Sequence, residues 1–523
     1  MPQTPAPPVI ARTIGVGPPT GSWAKVIDQT KCIGCHACTT ACKSENEVPL
    51  SVTRTFVKAV DVGTFPQARR AFQVTRCNQC ADAPCVAACP TGAMFTRPDG
   101  IVDFDKQICI GCKACMAACP YDAIFINPAD HCAEKCNFCA HRLEIGLEPA
   151  CVVVCPTQAI MVGDLTDPES EVAKIVNREP VSVRRPEKGT RPKLFYKGAT
   201  QATLDPLAAA RPAGDTYAWS QLPSGPRIVS GPTTAHSSSA AAIISYDVAH
   251  RAPWDWRVSA YTWTKSIAAG AYLVPLLLVL TGRLDAADPL WVWVGPVVAA
   301  LFLTVTAALL VWDLEHPERF YLILARPQWR SWLVRGGIIL TAYAAVLGLH
   351  LLAAVLGSGG LRAATAVAGL PIALLTAVYT AYLFAQAKAR DLWQSPLLPP
   401  HLAVQAILAG AAAMLPAALW RGETVAVDAL GWLLGGAALA HLLFVLGEVS
   451  LPHVTAHAAL ATKAMTAGRY RGFFWTGVGL VVPALLAVPG VGWLAVAAAV
   501  VALAGLALHE HAYVQAGQSV PLA

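Results

Sequence analysis

The sequence predicts two unlike parts: an α+β metal-binding domain, then an all-α bundle of eight transmembrane helices. Three observations carry that expectation. All 17 cysteines fall between Cys32 and Cys155. Long apolar runs fill the chain from about residue 258 onwards. Hydrophobic residues make up 55% of the 523 positions and charged ones only 14%, too apolar a balance for an ordinary soluble protein. The net charge of +6 is modest for this length and indicates no nucleic-acid partner. In a membrane protein the placement of basic residues matters more than their total.

The cysteines come in four groups. "KCIGCHACTTAC" places Cys32, Cys35, Cys38 and Cys42 at C-x2-C-x2-C-x3-C, the bacterial ferredoxin run. "CNQCADAPCVAACP" supplies Cys77, Cys80, Cys85 and Cys89, and "CIGCKACMAACP" supplies Cys109, Cys112, Cys115 and Cys119. Cys136, Cys139, Cys151 and Cys155 complete the set as C-x2-C-x11-C-x3-C-P. Three thiolates this close let one loop wrap a 4Fe–4S cube, while the fourth reaches towards a second cube. Zinc also takes C-x2-C pairs. A C-x2-C-x2-C triple, however, puts a third thiolate too close for two zinc knuckles, and C-P endings belong to ferredoxins.

Sixteen ligands are enough for four 4Fe–4S clusters. The crossover rule joins Cys77, Cys80 and Cys85 with Cys119, and Cys109, Cys112 and Cys115 with Cys89. By elimination Cys32, Cys35 and Cys38 take Cys155, and Cys136, Cys139 and Cys151 take Cys42. The domain, residues 23–165 after an N-terminal tail 1–22, is thus expected as a double ferredoxin-like unit, one half inserted into the other. Cys132 is left over, and its two readings are an alternative ligand for the cluster at Cys136 and a small packed residue. The second is favoured because the other sixteen already close four sites.

Residues 166–257 are rich in Pro, Ala and Gly and carry no sustained period, so they read as an extended linker. No signal peptide is evident in "MPQTPAPPVIARTIGVG". The membrane domain, 258–515, is read as eight spans: 258–282, 290–312, 332–356, 363–385, 400–420, 428–447, 472–490 and 492–509. An even count returns the C-terminus to the iron–sulfur side. That side carries Arg319, Arg326, Arg330, Arg335, Lys388, Arg390, Lys463, Arg469 and Arg471, and the opposite side only Arg283, Arg362 and Arg421. The positive-inside rule then puts the clusters in the cytoplasm, against the inner (plasma) membrane.

The quoted cysteine groups, with "KVIDQTKCIGCHACTTACKSEN", "DGIVDFDKQICIGCKACMAACPYDAIFINP" and "KCNFC", resemble the four-cluster electron-transfer subunits of membrane-bound molybdopterin oxidoreductases of the dimethyl sulfoxide and polysulfide reductase type. That resemblance spans residues 23 to about 165. "DLEHPERFYLILARPQWRSWLVRG", "ARDLWQSPLLPPHL" and "YVQAGQSVPLA" resemble the NrfD-like membrane subunits of polysulfide reductases, over roughly 255–523. Together the resemblances imply a fused subunit that relays electrons between a separate molybdopterin-containing catalytic subunit and menaquinone or ubiquinone. They also imply eight helices and no haem. The sequence itself supports the last point, since the deep histidines His350 and His441 do not match in estimated depth and no C-x-x-C-H occurs.

Quinone chemistry needs hydrogen-bond donors and protons near the cluster-side helix ends. The candidates are Tyr261, Lys265, Asp313, His316, Arg319 and Tyr379, with Asp313, His316 and Arg319 spaced to share one helical face. Glu448, His453 and His457 are read as proton carriers or as an interfacial face. Two rival readings are a redox-driven proton-translocating module and a passive membrane anchor. Few carboxylates fall at midplane in the second to fourth spans, which disfavours the first of these.

Overall fold

The computed structural model describes residues 21–211, 241–486 and 492–522. In the cysteine-rich part the buried strand Trp23–Asp28 is central to a four-stranded sheet. Ile160–Asp164 pairs antiparallel on one side of it and Leu194–Lys197 parallel on the other, with Val181–Ser182 beyond. A second sheet pairs Thr55–Val62 with Arg69–Arg76 and with Ile243–Tyr246, all antiparallel. Two short hairpins, Met94–Thr96 with Val102–Phe104 and Ile124–Ile126 with Ala133–Lys135, each follow one of the two middle cysteine groups. The domain is therefore mixed α+β.

Most of the stretch expected as linker is folded instead. Residues 166–211 contribute the helix Glu171–Arg178, which buries Val172, Ala173 and Ile175, and the strand Leu194–Lys197. The strand Ile243–Tyr246 belongs to the second sheet. Residues 212–240 lie outside the described residues. The reason for the difference is non-local pairing. "LFYK" is short and flanked by turn formers, and it becomes a strand because the edge of Trp23–Asp28 satisfies its backbone groups.

Among the described residues, seven helices are long and apolar enough to cross a membrane. They are α1 (Trp256–Leu280), α2 (Gly295–Trp312, entered through a π-turn at Leu290–Val294), α3 (Trp332–Val355), α4 (Gly359–Gln386), α5 (Leu398–Trp420), α6 (Thr424–Ser450) and α8 (Gly492–Gly517). The expected seventh span, 472–490, is shorter. Its α-helix, α7, covers Arg471–Val481 and gives way to a 3-10 turn, Val482–Leu486. Pro483 explains the change, because it removes a backbone donor and disfavours helical geometry in the residue before it. Residues 487–491 lie outside the described residues. Helix α8 runs on past the expected end at 509, which brings Glu510 and Tyr513 inside it.

Two glycine pairs set the closest crossings. A Cβ on Gly270 of α1 would strike Ala406 O and Gly410 of α5, and one on Gly477 of α7 would meet Gly505 O at 2.8 Å. Small residues let helices approach where water provides no hydrophobic drive. The two domains share one core. Ala88, Ile110 and Ala117 pack with Trp254, Phe384 and Trp393, whose rings stack with centroids 4.6–6.1 Å apart.

Candidate functional site: cysteine cavities docked on a membrane bundle

The two C-I-G-C loops reverse through left-handed backbone at Gly34 and His36 and again at Gly111 and Lys113. Left-handed geometry outside glycine is uncommon, and here it curls each loop so that its thiols converge. One cavity, of about 360 Å³, is lined by Cys89, Cys109, Cys112 and Cys115. A second, of about 320 Å³, is lined by Cys32, Cys35, Cys38 and Cys155. Backbone N–H groups donate to the rims: Met94 to Cys89 Sγ at 3.3 Å, Ala133 to Cys109 Sγ at 3.5 Å and Ala159 to Cys155 Sγ at 3.2 Å.

The other eight cysteines also gather in fours. Burial raises the Cys85 thiol well above its ordinary range, and Cys119, Cys77 and Cys80 are the nearby thiols that raise it further. Burial likewise pushes Cys42 up to about 12, with Cys136, Cys151 and Cys139 beside it. The fours form a row, since Cys115 lies near Cys85, Cys77 near Cys136, and Cys38 near Cys151.

The donor set fits cubes better than single ions. Among the described residues no three His, Cys, Asp or Glu side chains stand close enough to hold one metal ion, whereas the thiols ring cavities. Thiols that raise one another's pKa become stable thiolates only on a cationic group. Arg76 adds a second indication. Its Nη1 donates to Cys151 Sγ at 3.0 Å, while its buried Nε and Nη2 find no partner among the described residues. Burial pushes Cys151 up, but Arg76 and Lys25 outweigh it and bring the thiol down to about 7. Cys132 is buried beside Cys109, with its thiol 3.3 Å from Lys106 O and 3.4 Å from His316 Nε2.

The cavity at Cys89, Cys109, Cys112 and Cys115 is the one pressed onto the helix ends. Trp254 Nε1 donates to Cys112 O at 3.2 Å, Ser331 Oγ to Ala88 O at 2.9 Å, and Arg319 Nη1 to Cys109 O and Lys106 O at 3.0 Å each. Lys113 Nζ lies 3.3 Å from Asp313 Oδ1 and 3.2 Å from Glu315 Oε1. Burial pushes the Asp313 carboxyl up to about 6, against the pull of Lys113 and Arg257.

The six residues singled out for quinone separate into two groups. Asp313, His316 and Arg319 line the joint between the domains, where His316 Nε2 donates to Asp130 O at 2.9 Å. They do not share a helical face, because α2 ends at Trp312 and His316 precedes a proline. Tyr261, Lys265 and Tyr379 gather inside the bundle. Lys265 Nζ donates to Ala377 O and lies 5.3 Å from the centre of the Tyr379 ring. Tyr261 and Tyr379 both approach Thr380, yet the Tyr261 and Thr380 hydroxyls close no aligned hydrogen bond among the described residues.

His350 and His441 belong to different helices and different partners. His350 Nδ1 meets Tyr272 OH at 3.3 Å, and His441 Nδ1 meets His401 Nε2 at 2.9 Å. His453 bonds Thr462, and His457 is buried in the short helix Ala456–Thr466. The sequence reading missed Arg76, His401, Gln405, His509 and Glu510. The signal was present for four of them: polar and ionisable residues inside apolar runs are functional candidates by default.

Comparison with known proteins agrees with this two-part construction. The family described as "Polysulphide reductase, NrfD" matches residues 246–522, a 4Fe-4S dicluster domain matches 69–165, and a 4Fe-4S binding domain matches 23–44. The B subunit of tetrathionate reductase from Salmonella typhimurium is 44% identical over 206 residues, covering 38% of this chain and 81% of that protein. The B subunit of polysulfide reductase from Wolinella succinogenes is 43% identical over 176 residues, 33% of this chain and 92% of that protein. The arsenate respiratory reductase iron-sulfur subunit ArrB of a Shewanella species is 36% identical over 219 residues, 33% of this chain and 94% of that protein. These relatives align with a third or so of the sequence and the NrfD match lies beyond residue 245, so this protein belongs to the NrfD polysulphide reductase family as a multi-pass membrane protein that carries its 4Fe–4S ferredoxin domains on the same polypeptide.

Proposed function

We propose that this protein is the electron-transfer and quinone-interacting subunit of a molybdopterin-dependent oxidoreductase. In this reading four 4Fe–4S clusters relay electrons between a separate catalytic subunit and menaquinone or ubiquinone. The observation that carries the reading is the docking of one cysteine cavity onto the helix ends through Trp254, Arg319 and Ser331. The sixteen cysteines in their four fours would hold the clusters, which supply one-electron steps. The opposite end of the row suits a partner. Cys35 is exposed there, and Ile33 and Val153, within two residues of ligands, are exposed hydrophobics. Exposed apolar residues grouped at one place favour a protein contact.

On the membrane side, Trp254 and Lys113 orient the inner loop, while Tyr261, Lys265 and Tyr379 offer donors to a quinone headgroup. Asp313, His316 and Arg319 act one step back, holding the cavity against the bundle. The apolar stretch Arg471–Leu486 would complete eight crossings, with the iron–sulfur domain on the cytoplasmic face of the plasma membrane. A reporter fused after Ala523 is then cytoplasmic and one beside Arg421 exported, and the reverse result overturns the orientation.

The function is tested on protein purified without oxygen. It should contain about sixteen iron and sixteen sulfide per polypeptide, and its reduced clusters should be oxidised by a quinone analogue. Lys265→Ala should slow that oxidation on the order of a hundredfold, with reduction by a soluble donor unchanged. About four zinc with little sulfide, or no reaction with quinone, would refute the reading.

A further inference from the structure

Three imidazoles from three helices meet inside the bundle: His401 of α5, His441 of α6 and His509 of α8. All are buried, and their ring centroids lie 4.9–5.8 Å apart. His441 is nine residues from the end of α6, about 13 Å along its axis. His401 Nε2 lies 2.9 Å from His441 Nδ1 and 3.5 Å from Gln405 Nε2. His401 Nε2 and His441 Nδ1 share one hydrogen, so one ring donates to the other. The other nitrogen of the His441 ring, Nε2, is buried with no partner among the described residues. Both nitrogens of His509, Gln405 Oε1 and Glu510 Oε1 are also buried without partners there.

An unsatisfied polar atom in such surroundings costs folding energy, and a bundle made only for anchoring could place apolar side chains here. Glu510 connects the group to the region proposed for quinone. It approaches Gln405 and Thr262 on one side and shares an electrostatic field with Lys265. Glu448, seven residues beyond His441 on α6, also lies in the field of Glu510, towards the iron–sulfur side.

We propose that His401, His441, His509 and Glu510 form a hydrated proton relay that serves the quinone site. This rests on the quinone reading above. Reduction of a quinone to quinol takes two electrons, delivered from the clusters, and two protons. Glu510 hands a proton towards the Lys265 side and is reprotonated from the imidazoles, which reload from the side of Glu448. Each proton that leaves is replaced, and the relay undergoes no net redox change. A metal site is the competing use of three histidines, but among the described residues these rings do not form a set that could hold an ion.

The test uses the whole protein in lipid nanodiscs with a short-tailed ubiquinone analogue, comparing wild type with His441→Gln, His509→Gln and Glu510→Gln. Glutamine keeps hydrogen bonding but cannot carry the proton. Iron content and cluster reduction by dithionite should match wild type in all three, which controls for folding. Electron transfer to the quinone should slow on the order of a hundredfold in at least His441→Gln and Glu510→Gln, with a larger solvent isotope effect in deuterium oxide. Redox-difference infrared spectra of protein with isotope-labelled histidine should show imidazole bands that are lost in His441→Gln. Unchanged rates and bands, or a bound transition metal that disappears in His441→Gln, would overturn the relay. If wild type itself does not react with quinone, the functional reading falls along with the relay. If wild type reacts and the variants match it, the relay alone falls.

Discussion

The cavity at Cys109 and the cavity at Cys32 are built from nearly the same words, "ICIGCKAC" and "KCIGCHAC", and they meet opposite surroundings. Both loops reverse through left-handed residues at matching positions, and both enclose cavities of similar volume. In the first, all four thiols are buried and Lys113 is locked between Asp313 and Glu315 of the membrane half. In the second, Cys35 is exposed, and His36 at the position matching Lys113 meets the edge of Tyr246, 4.9 Å away. Local sequence makes a cavity of this kind. What the cavity exchanges electrons with depends on what is packed against its loop.

The sharpest way to break the comparison is to remove a ligand from the buried end. Cys115→Ser should lose or convert one cluster, at most about four of sixteen iron atoms, and abolish transfer to quinone. Cys132→Ser, beside Cys109 but outside the fours, should leave the iron content intact. Iron loss in Cys132→Ser would mean that the ligand assignment is wrong.

A second way is to undo the packing without touching a ligand. Lys113→Met leaves Asp313 with only Arg257, 3.6 Å away, and Glu315 with only His131, and should cost about 2 kcal/mol, measured as denaturant sensitivity of the iron–sulfur domain. His36→Ala at the matching outer position should cost under about 1 kcal/mol. Equal losses would show that the two loops are not distinguished by what they dock against.

The entry into α1 gives a pH-dependent test of the same joint. His250 is held by Asp122, close to Cys119, and by Asp247, at the end of the strand Ile243–Tyr246. Burial opposes its charge, but the two carboxylates outweigh burial and raise its pKa from 6.5 to about 9. The raised pKa means that the stabilisation is fully present below pH 6.5 and is lost as pH rises through about 9. Thermal melts of wild type and His250→Gln should differ by up to about 3 kcal/mol at pH 6.5 and converge above pH 9. A constant difference across that range would count against the assignment.

The smallest effect expected sits one four in from the outer end. Arg76→Gln removes a positive donor from the Cys151 four while leaving the buried cavity at Cys115 untouched. Electron paramagnetic resonance with redox titration should show one cluster shifted to lower potential and the membrane-side cluster unchanged. A shift of the membrane-side signal would mean that the row is ordered differently.

The chemistry of the ligands and the placing of the apolar spans are written into short stretches of the chain. Cysteine spacing and apolar run length are local properties, set within a few residues by loop geometry and by the thickness of a membrane. The shared loop reading at Cys32 and Cys109 and the starts of most spans were legible for that reason. Tertiary structure alone decided three things. It drew Leu194–Lys197 into the sheet, because a free strand edge far away in sequence could pair with it. It turned Asp313, His316 and Arg319 from a supposed helix face into a joint, because α2 ends before them and the iron–sulfur loops supply their partners. It also brought His401, His441 and His509 together, because only the packing of α5, α6 and α8 puts residues that lie far apart along the sequence within reach of one another.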